Sequence, residues 1–232
     1  MEKLLIGDVD MKRVATITIG QSPRIDLVPE ISKYMSGNIE IVEYGILDPY
    51  TYEESEKMLK PGRGDNVLVS RMRDGREIRM KEELVPDLIQ KCIHKIEGEG
   101  INTIFLLCTG KFPEFEHKGL FIEPFSLLHS IVKNVVSDRI GVIVPDSSQI
   151  KQSIKYWRES GNEVSVRAVS PYKNFYEEIE KETLELKKEN LPLIVLDCMG
   201  YSLEMKEKVK AITGKPVLLP RIVMAKLLEE LA

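Results

Sequence analysis

Three cysteines, three histidines and one tryptophan in 232 residues leave several kinds of chemistry little to work with. Cys92, Cys108 and Cys198 form no C-x-x-C pair, and an odd count outside a small secreted scaffold reads as three free thiols. Cys92-Ile-His94 has neither the spacing nor the companions of a zinc site, and His117 and His129 add no cluster, so no metal centre is expected. Positive charge is short too: 33 Lys and Arg face 37 Asp and Glu, a net charge of -4, so the cationic excess that drives nucleic-acid binding is missing. Long apolar runs are absent as well. The longest uncharged stretches, such as 14–23 and 101–110, reach about half of the roughly 20 residues that a membrane-spanning helix needs. Glu2, Asp8 and Asp10 fall where a secretory signal would continue its apolar segment, so a cytoplasmic location is expected. There is no Walker motif, no G-x-G-x-x-G and no lysine in a pyridoxal-binding context, and no cofactor is expected.

What the chain does hold is short β-branched runs separated by amphipathic stretches. Arg13 to Gly20, Ile39 to Tyr44, Asn102 to Leu107, Ile140 to Val144, Val164 to Val169, Leu193 to Leu196 and Pro216 to Leu219 read as strands. Between them, faces such as Leu84, Val85, Leu88, Ile89, Cys92, Ile93 and Ile96 recur at helical spacing. This alternation predicts an α/β protein with parallel sheets flanked by helices. It is interrupted once, at residues 66–80, where Asp74-Gly75 predicts a two-residue turn in an inserted β-hairpin. Pairing outward from that turn puts Val67, Val69, Ile78 and Met80 on one face, with Arg71, Arg73 and Arg76 toward its tip. The opening pattern returns at Arg139-Ile-Gly-Val-Ile-Val-Pro-Asp146. Two similar lobes are therefore predicted, residues 11–124 with 216–232 as the first and 125–215 as the second, with no flexible linker between them.

Cys108 and Cys198 each follow a predicted strand, and in parallel sheets ligands bind just beyond the carboxyl ends of strands. Either thiol alone reads more readily as a small core residue, and two in matching contexts, one per half, bring a functional reading level with packing. Cys92 lies on an apolar helix face and reads as packing. Gln21, Ser22 and Arg24, after the first strand, are candidates to hold a carboxylate, although Ser22 also fits the cap of a helix begun by Pro23. In the second half, Asp146 and Gln149 fit a capping box, with Ser147 and Ser148 as candidate ligand contacts. Arg71 and Arg73 form either an anion clamp over the cleft or a patch that faces solvent or a second subunit of a homo-oligomer. Tyr201 either lines the cleft or packs, and His129 reads as structural.

The segments Thr18-Ile-Gly-Gln-Ser-Pro-Arg24, Leu68-Val-Ser-Arg-Met-Arg-Asp-Gly75 and Leu196-Asp-Cys-Met-Gly-Tyr201 resemble the AroM family from about Val14 onward. More distantly, two lobes that each close on a thiol are similar to the aspartate/glutamate/hydantoin racemase superfamily. Cys108-Thr-Gly110 and Cys198-Met-Gly200 look closest to its hydantoin racemase branch, without the Asn-Thr or Thr-Glu/His that tends to follow the cysteines of the aspartate and glutamate enzymes. The resemblance implies a racemase-like fold and cofactor-free proton exchange at a carbon beside a carboxylate or carbonyl, with Cys108 and Cys198 opposed across an inter-lobe cleft. Gly110 and Gly200 would offer backbone N–H groups to a developing enolate, and Thr109, Met199 and Tyr201 would complete the contacts to a small anionic molecule. Asp197, next to Cys198, is expected to raise that thiol's pKa, leaving Cys108 the more readily ionised. Two other readings stay open: a non-catalytic binder of an anionic metabolite, and a single-thiol decarboxylase or cis-trans isomerase.

Overall fold

Strands form where Val, Ile and Leu alternate between two apolar environments, and a computed structural model describing residues 11–231 shows both environments filled by helices. In chain order the strands are β1 (Lys12–Thr18), β2 (Ile39–Gly45), β3 (Val67–Arg71), β4 (Glu77–Lys81), β5 (Thr103–Leu106), β6 (Leu120–Ile122), β7 (Ile140–Val144), β8 (Val164–Ala168), β9 (Ile194–Leu196) and β10 (Val217–Leu218). The helices are α1 (Val28–Ile31), α2 (Tyr52–Leu59), α3 (Pro86–Gly98), α4 (Pro124–Val135), α5 (Ile150–Glu159), α6 (Phe175–Lys188), α7 (Leu203–Thr213) and α8 (Pro220–Leu231). Glu2, Asp8 and Asp10 lie outside the described residues. No helix among the described residues is long and apolar enough to cross a membrane.

Two four-stranded sheets carry the molecule, in the orders β2-β1-β5-β6 and β10-β9-β7-β8, and every pair within them is parallel. The period of two along β1 and β5 explains the layering. Ala15, Ile17, Ile104 and Leu106 face the cluster that includes Ile89, Ile93 and Ile96 of α3, while Val14 and Phe105 face α8 through Met224, Ala225 and Leu228. The two sheets have the same topology, so β1 corresponds to β7 and β5 to β9. In each, strand order reverses between those two central strands, which opens a crevice at their carboxyl ends.

The sequence reading needs three corrections here. β10 pairs with β9 in the second sheet, so only α8 of the 216–232 segment returns to pack against the first. β6, a three-residue strand on the sheet edge with exposed Leu120, is too short and too one-sided to register as an apolar run. The hairpin register is shifted by one: Leu68 pairs with Met80 and Ser70 with Ile78. Its loop holds three residues because the Met72 N–H bonds the Arg76 carbonyl at 2.8 Å and Gly75, at φ 93°, takes the extra position. Val67, Val69 and Arg71 therefore share one face, and Leu68 and Ser70 share the other with Ile78 and Met80.

That hairpin ties the two halves together. From the first, Gln21 N–H donates to the Arg71 carbonyl (3.2 Å) and Arg73 pairs with Asp48 (3.1 Å). From the second, Gln149 Nε2 donates to the Val67 carbonyl and Gln152 Oε1 accepts from Val67 N–H, each at 3.0 Å. Arg79 pairs with Asp146 (3.0 Å) and Glu77 with Lys173 (2.8 Å).

Candidate active site

One cavity lies where the central strands of both sheets end, and the equivalence of the two halves explains its lining. Ile19 and Arg24 follow β1, and Cys108, Thr109 and Gly110 follow β5. Val144, Pro145 and Gln149 come from the end of β7 and its loop, and Asp197, Cys198 and Met199 follow β9. Leu68, Val69 and Ser70 of the hairpin, with Ser153, Tyr156 and Trp157 of α5, complete much of the wall. Its volume of about 50 Å³ gives room for roughly four waters, or a compound of a few carbons.

Both thiols line this space, each 8% exposed, and each is held in the same local geometry. Gly110 N–H donates to Cys108 Sγ at 3.3 Å, and Gly200 N–H donates to Cys198 Sγ at 3.3 Å. The Cys-x-Gly spacing produces this turn, in which an amide two residues on points back at the sulfur. Glycine is needed for close packing as well. A Cβ on Gly200 would come within 2.3 Å of the Tyr172 hydroxyl, whereas one on Gly110 would meet the flexible end of Leu68 at 2.6 Å. Gly200→Ala is therefore expected to lose about 1–3 kcal/mol of stability in urea unfolding, and Gly110→Ala less, because a leucine methyl yields more readily than a wedged tyrosine. Equal losses would contradict this packing.

Charge is arranged unequally between the two sulfurs. Burial raises both thiol pKa values. For Cys198 the Gly200 amide, Arg24 and the Tyr172 hydroxyl oppose that rise and hold it to about 11. Cys108 is pushed higher: burial dominates, the Gly110 amide opposes it, and Cys198, Glu123 and Glu82 disfavour the thiolate. The expected order of ionisation is thus reversed. Asp197, whose Oδ2 accepts from Trp157 Nε1 at 2.9 Å, does raise the Cys198 pKa as expected, but it comes after burial, the Gly200 amide, Arg24 and Tyr172. Burial raises the Asp197 carboxyl itself to about 6, partly offset by Trp157 and Thr109.

Arg24, 3% exposed, is the cation of the cavity wall nearest Cys198. It grips Asp26 with two hydrogen bonds (2.9 and 2.8 Å) and also donates to Thr18 Oγ1 (2.8 Å) and to the Tyr172 hydroxyl (3.2 Å). Although burial opposes its charge, these bonds hold the Asp26 carboxyl down at about 2, so the ion pair persists across the ordinary pH range. His129 stacks on Trp157 with ring centroids 3.8 Å apart, and burial lowers its pKa to about 4, so it is neutral at pH 7.

Of the residues singled out from sequence, the cavity takes Cys108, Cys198, Arg24, Thr109, Gly110 and Met199. Gly200 sits behind Cys198 as its amide donor. The others turn to the chain's own groups. Gln21 donates to the carbonyls of Leu47 and Tyr50, and Ser22 donates to Asp48 at 2.6 Å and caps no helix. Arg71 reaches Asp26 (3.3 Å), and Arg73 is spent on the Ser22 carbonyl and Asp48. Ser147 and Ser148 belong to the turn capped by Asp146, where the predicted capping box with Gln149 forms. Tyr201 is wholly buried and donates to the Val169 carbonyl (2.7 Å). Sequence reasoning missed Tyr172 on a loop, Ser70 on strand β3, and Ser153, Tyr156 and Trp157 on a face of α5, none of which belongs to a motif. No group of three or more metal-ligating His, Cys, Asp or Glu side chains occurs among the described residues.

The family model described as "AroM protein" matches residues 14–232. No curated protein sequence matches the chain at a significant level. Among solved structures, the allantoin racemase from Klebsiella pneumoniae superposes with a TM-score of 0.60 at 12% identity, covering 95% of this chain and 87% of that one. The aspartate racemase of Picrophilus torridus gives 0.63 at 15% identity, covering 94% and 93%. The maleate isomerase Iso from Pseudomonas putida S16 gives 0.59 at 14% identity, covering 95% and 92%. At these identities the likeness is one of fold: two parallel α/β lobes of the racemase type.

Proposed function

The chain belongs to the AroM family, and from that premise we propose that it is a cofactor-independent racemase or isomerase that moves a proton at a carbon beside a carboxylate or carbonyl. The observation that carries this reading is that both thiols line one small cavity from equivalent strand ends, each with a glycine amide at its sulfur. The racemases and the isomerase that share the fold support it.

Cys198, the more readily ionised thiol, takes the proton as a thiolate. The C–H electron pair moves into the adjacent carbonyl as an enolate, and Cys108 returns a proton from the opposite face. The thiolate has then passed from Cys198 to Cys108, and a proton exchanged with solvent resets the pair. The Gly110 and Gly200 amides, with Arg24 beside Cys198, supply the positive potential that this transfer of charge requires.

A thiol of pKa about 11 is ionised in about one molecule in 10⁴ at pH 7, so the free protein rests with both thiols protonated. The expected consequence is a kcat/KM that climbs about tenfold per pH unit from neutrality toward that pKa, since kcat/KM reports the ionisation of the free enzyme. A plateau already reached at pH 7 would contradict the assignment.

To find the substrate, the protein is incubated in deuterated water with amino acids, hydantoins and 2-substituted carboxylates, and α-hydrogen loss is followed by NMR. Exchange in one of these classes is expected. A complete absence of exchange would favour the second reading, a binder of small anionic metabolites, for which the specific observation is that both sulfurs are buried and protonated in the free state.

A further inference from the structure

A buried polar atom left without a partner costs about 1–3 kcal/mol, so two such atoms on one cavity wall call for an explanation. Asp197 and Ser153 both line the cavity, and their Oδ1 and Oγ are buried with no hydrogen-bond partner among the described residues. The other oxygen of Asp197 is fixed by Trp157 Nε1 at 2.9 Å, which sets the direction of the free one. Thr109 also steadies the carboxyl and lowers its pKa, while Oδ1 keeps no partner in hydrogen-bond geometry among the described residues. Ser153 stands one helical turn before Trp157 on α5, so its hydroxyl comes from the same helix face. Arg24 and Tyr172, which also act on Cys198, bring donors to the same wall.

We infer that Asp197 and Ser153 form an acceptor subsite that selects ligands carrying a hydrogen-bond donor, an N–H or O–H, a short distance from their carboxylate or carbonyl. The inference rests on this cavity being the ligand site and adds to that reading which part of the ligand faces the Asp197 wall. A carboxylate oxygen accepts only, whereas Ser153 both accepts and donates, so an amide, ureide or ammonium group fits and an ester or methyl end leaves both atoms unpaired.

The chain's single tryptophan makes the subsite directly observable, because Trp157 is bonded to Asp197. Its emission is titrated with malonamate, which ends in an amide, and with monomethyl malonate, which puts an ester in the same place. The proposal expects malonamate to bind at least about tenfold more tightly, Ser153→Ala to narrow the gap without loss of folding stability, and Asp197→Asn to reverse the preference. In that variant the amide carbonyl still serves Trp157 and an N–H now faces the ligand, so the ester carbonyl gains a partner. β-Alanine in place of malonamate tells an ammonium donor from an amide one, and tight binding of either satisfies the proposal. Equal affinities for malonamate and the ester, no response to any of the three, or an Asp197→Asn variant that keeps the wild-type order would overturn it. The assay needs no turnover, so a failure of proton exchange at the thiols is distinguished from a failure of this subsite.

Discussion

Cys198→Ser is expected to lower racemisation or isomerisation by a factor of about 10²–10⁴, the range for removing one positioned acid or base, and Cys108→Ser to lower it comparably. The reason is that inversion needs both faces of the carbon served. A hydroxyl in place of either sulfur is far too weak an acid to lend a proton-accepting anion near neutrality, and the glycine amide behind it has no thiolate to stabilise. The two variants should differ in what they keep. Cys108→Ser retains the thiol beside Arg24 and Tyr172, so it should still exchange the hydrogen of one enantiomer with solvent while failing to invert it. Cys198→Ser leaves only the thiol that burial pushes higher and should lose exchange on both faces more completely. Rates followed by NMR in deuterated water, with Cys92→Ser, a partly buried thiol of α3 away from the cavity, as a control, separate these outcomes. Wild-type rates in either active-site variant would remove the thiols from the mechanism.

The second large effect is on stability and concerns Arg221, whose side chain is 0% exposed where α8 crosses between the halves. It donates to the Met199 carbonyl through Nε (2.9 Å) and the terminal nitrogen (2.6 Å), to the Asp26 carbonyl (3.2 Å) and to Glu30 (3.1 Å). One guanidinium thus fixes the peptide after Cys198 to the loop that carries Arg24. Arg221→Met keeps the apolar stem but orphans the Met199 carbonyl and removes the partner of Glu30. Breaking a buried charged pair costs about 3–5 kcal/mol. Glu30 also accepts from Leu203 N–H at the start of α7, which keeps it partly satisfied and places the expected loss toward the lower end. Urea unfolding should show the midpoint fall with an unchanged slope. Arg158→Met, which breaks an exposed pair with Glu163, should cost less than about 1 kcal/mol. If the two losses are alike, Arg221 is not the tie between the halves.

What could be read from the sequence follows from which interactions are local. Central strands such as β1, β5, β7 and β9 advertise themselves because burial on both faces demands continuous apolar runs, and the thiols are legible because each closes one of those runs. The hairpin was visible from Asp74-Gly75, but its register was not. Whether Gly75 serves as half of a two-residue turn or as the third residue of a bulged one is decided by the Met72 to Arg76 bond, and the shift by one exchanges the faces. The order of thiol ionisation was misread for a similar reason. Asp197 is adjacent in sequence and accepts from Trp157, but Arg24, 174 positions from Cys198, acts on it more strongly through space. Gln21, Ser22 and Arg73 carry suitable chemistry and spend it on the Asp48 loop. Tyr172 and Ser153 belong to no pattern; only the meeting of a loop, a helix and two strand ends gives them a role.

The most direct test is the placement of isotope in an enantiopure substrate allowed to react briefly in deuterated water. A pair of thiols on opposite faces, each holding its own proton, puts deuterium into the inverted product and leaves the recovered starting enantiomer with its original hydrogen. Deuterium appearing at the same rate in both enantiomers would mean that a single group serves both faces, and the two-thiol account would be wrong.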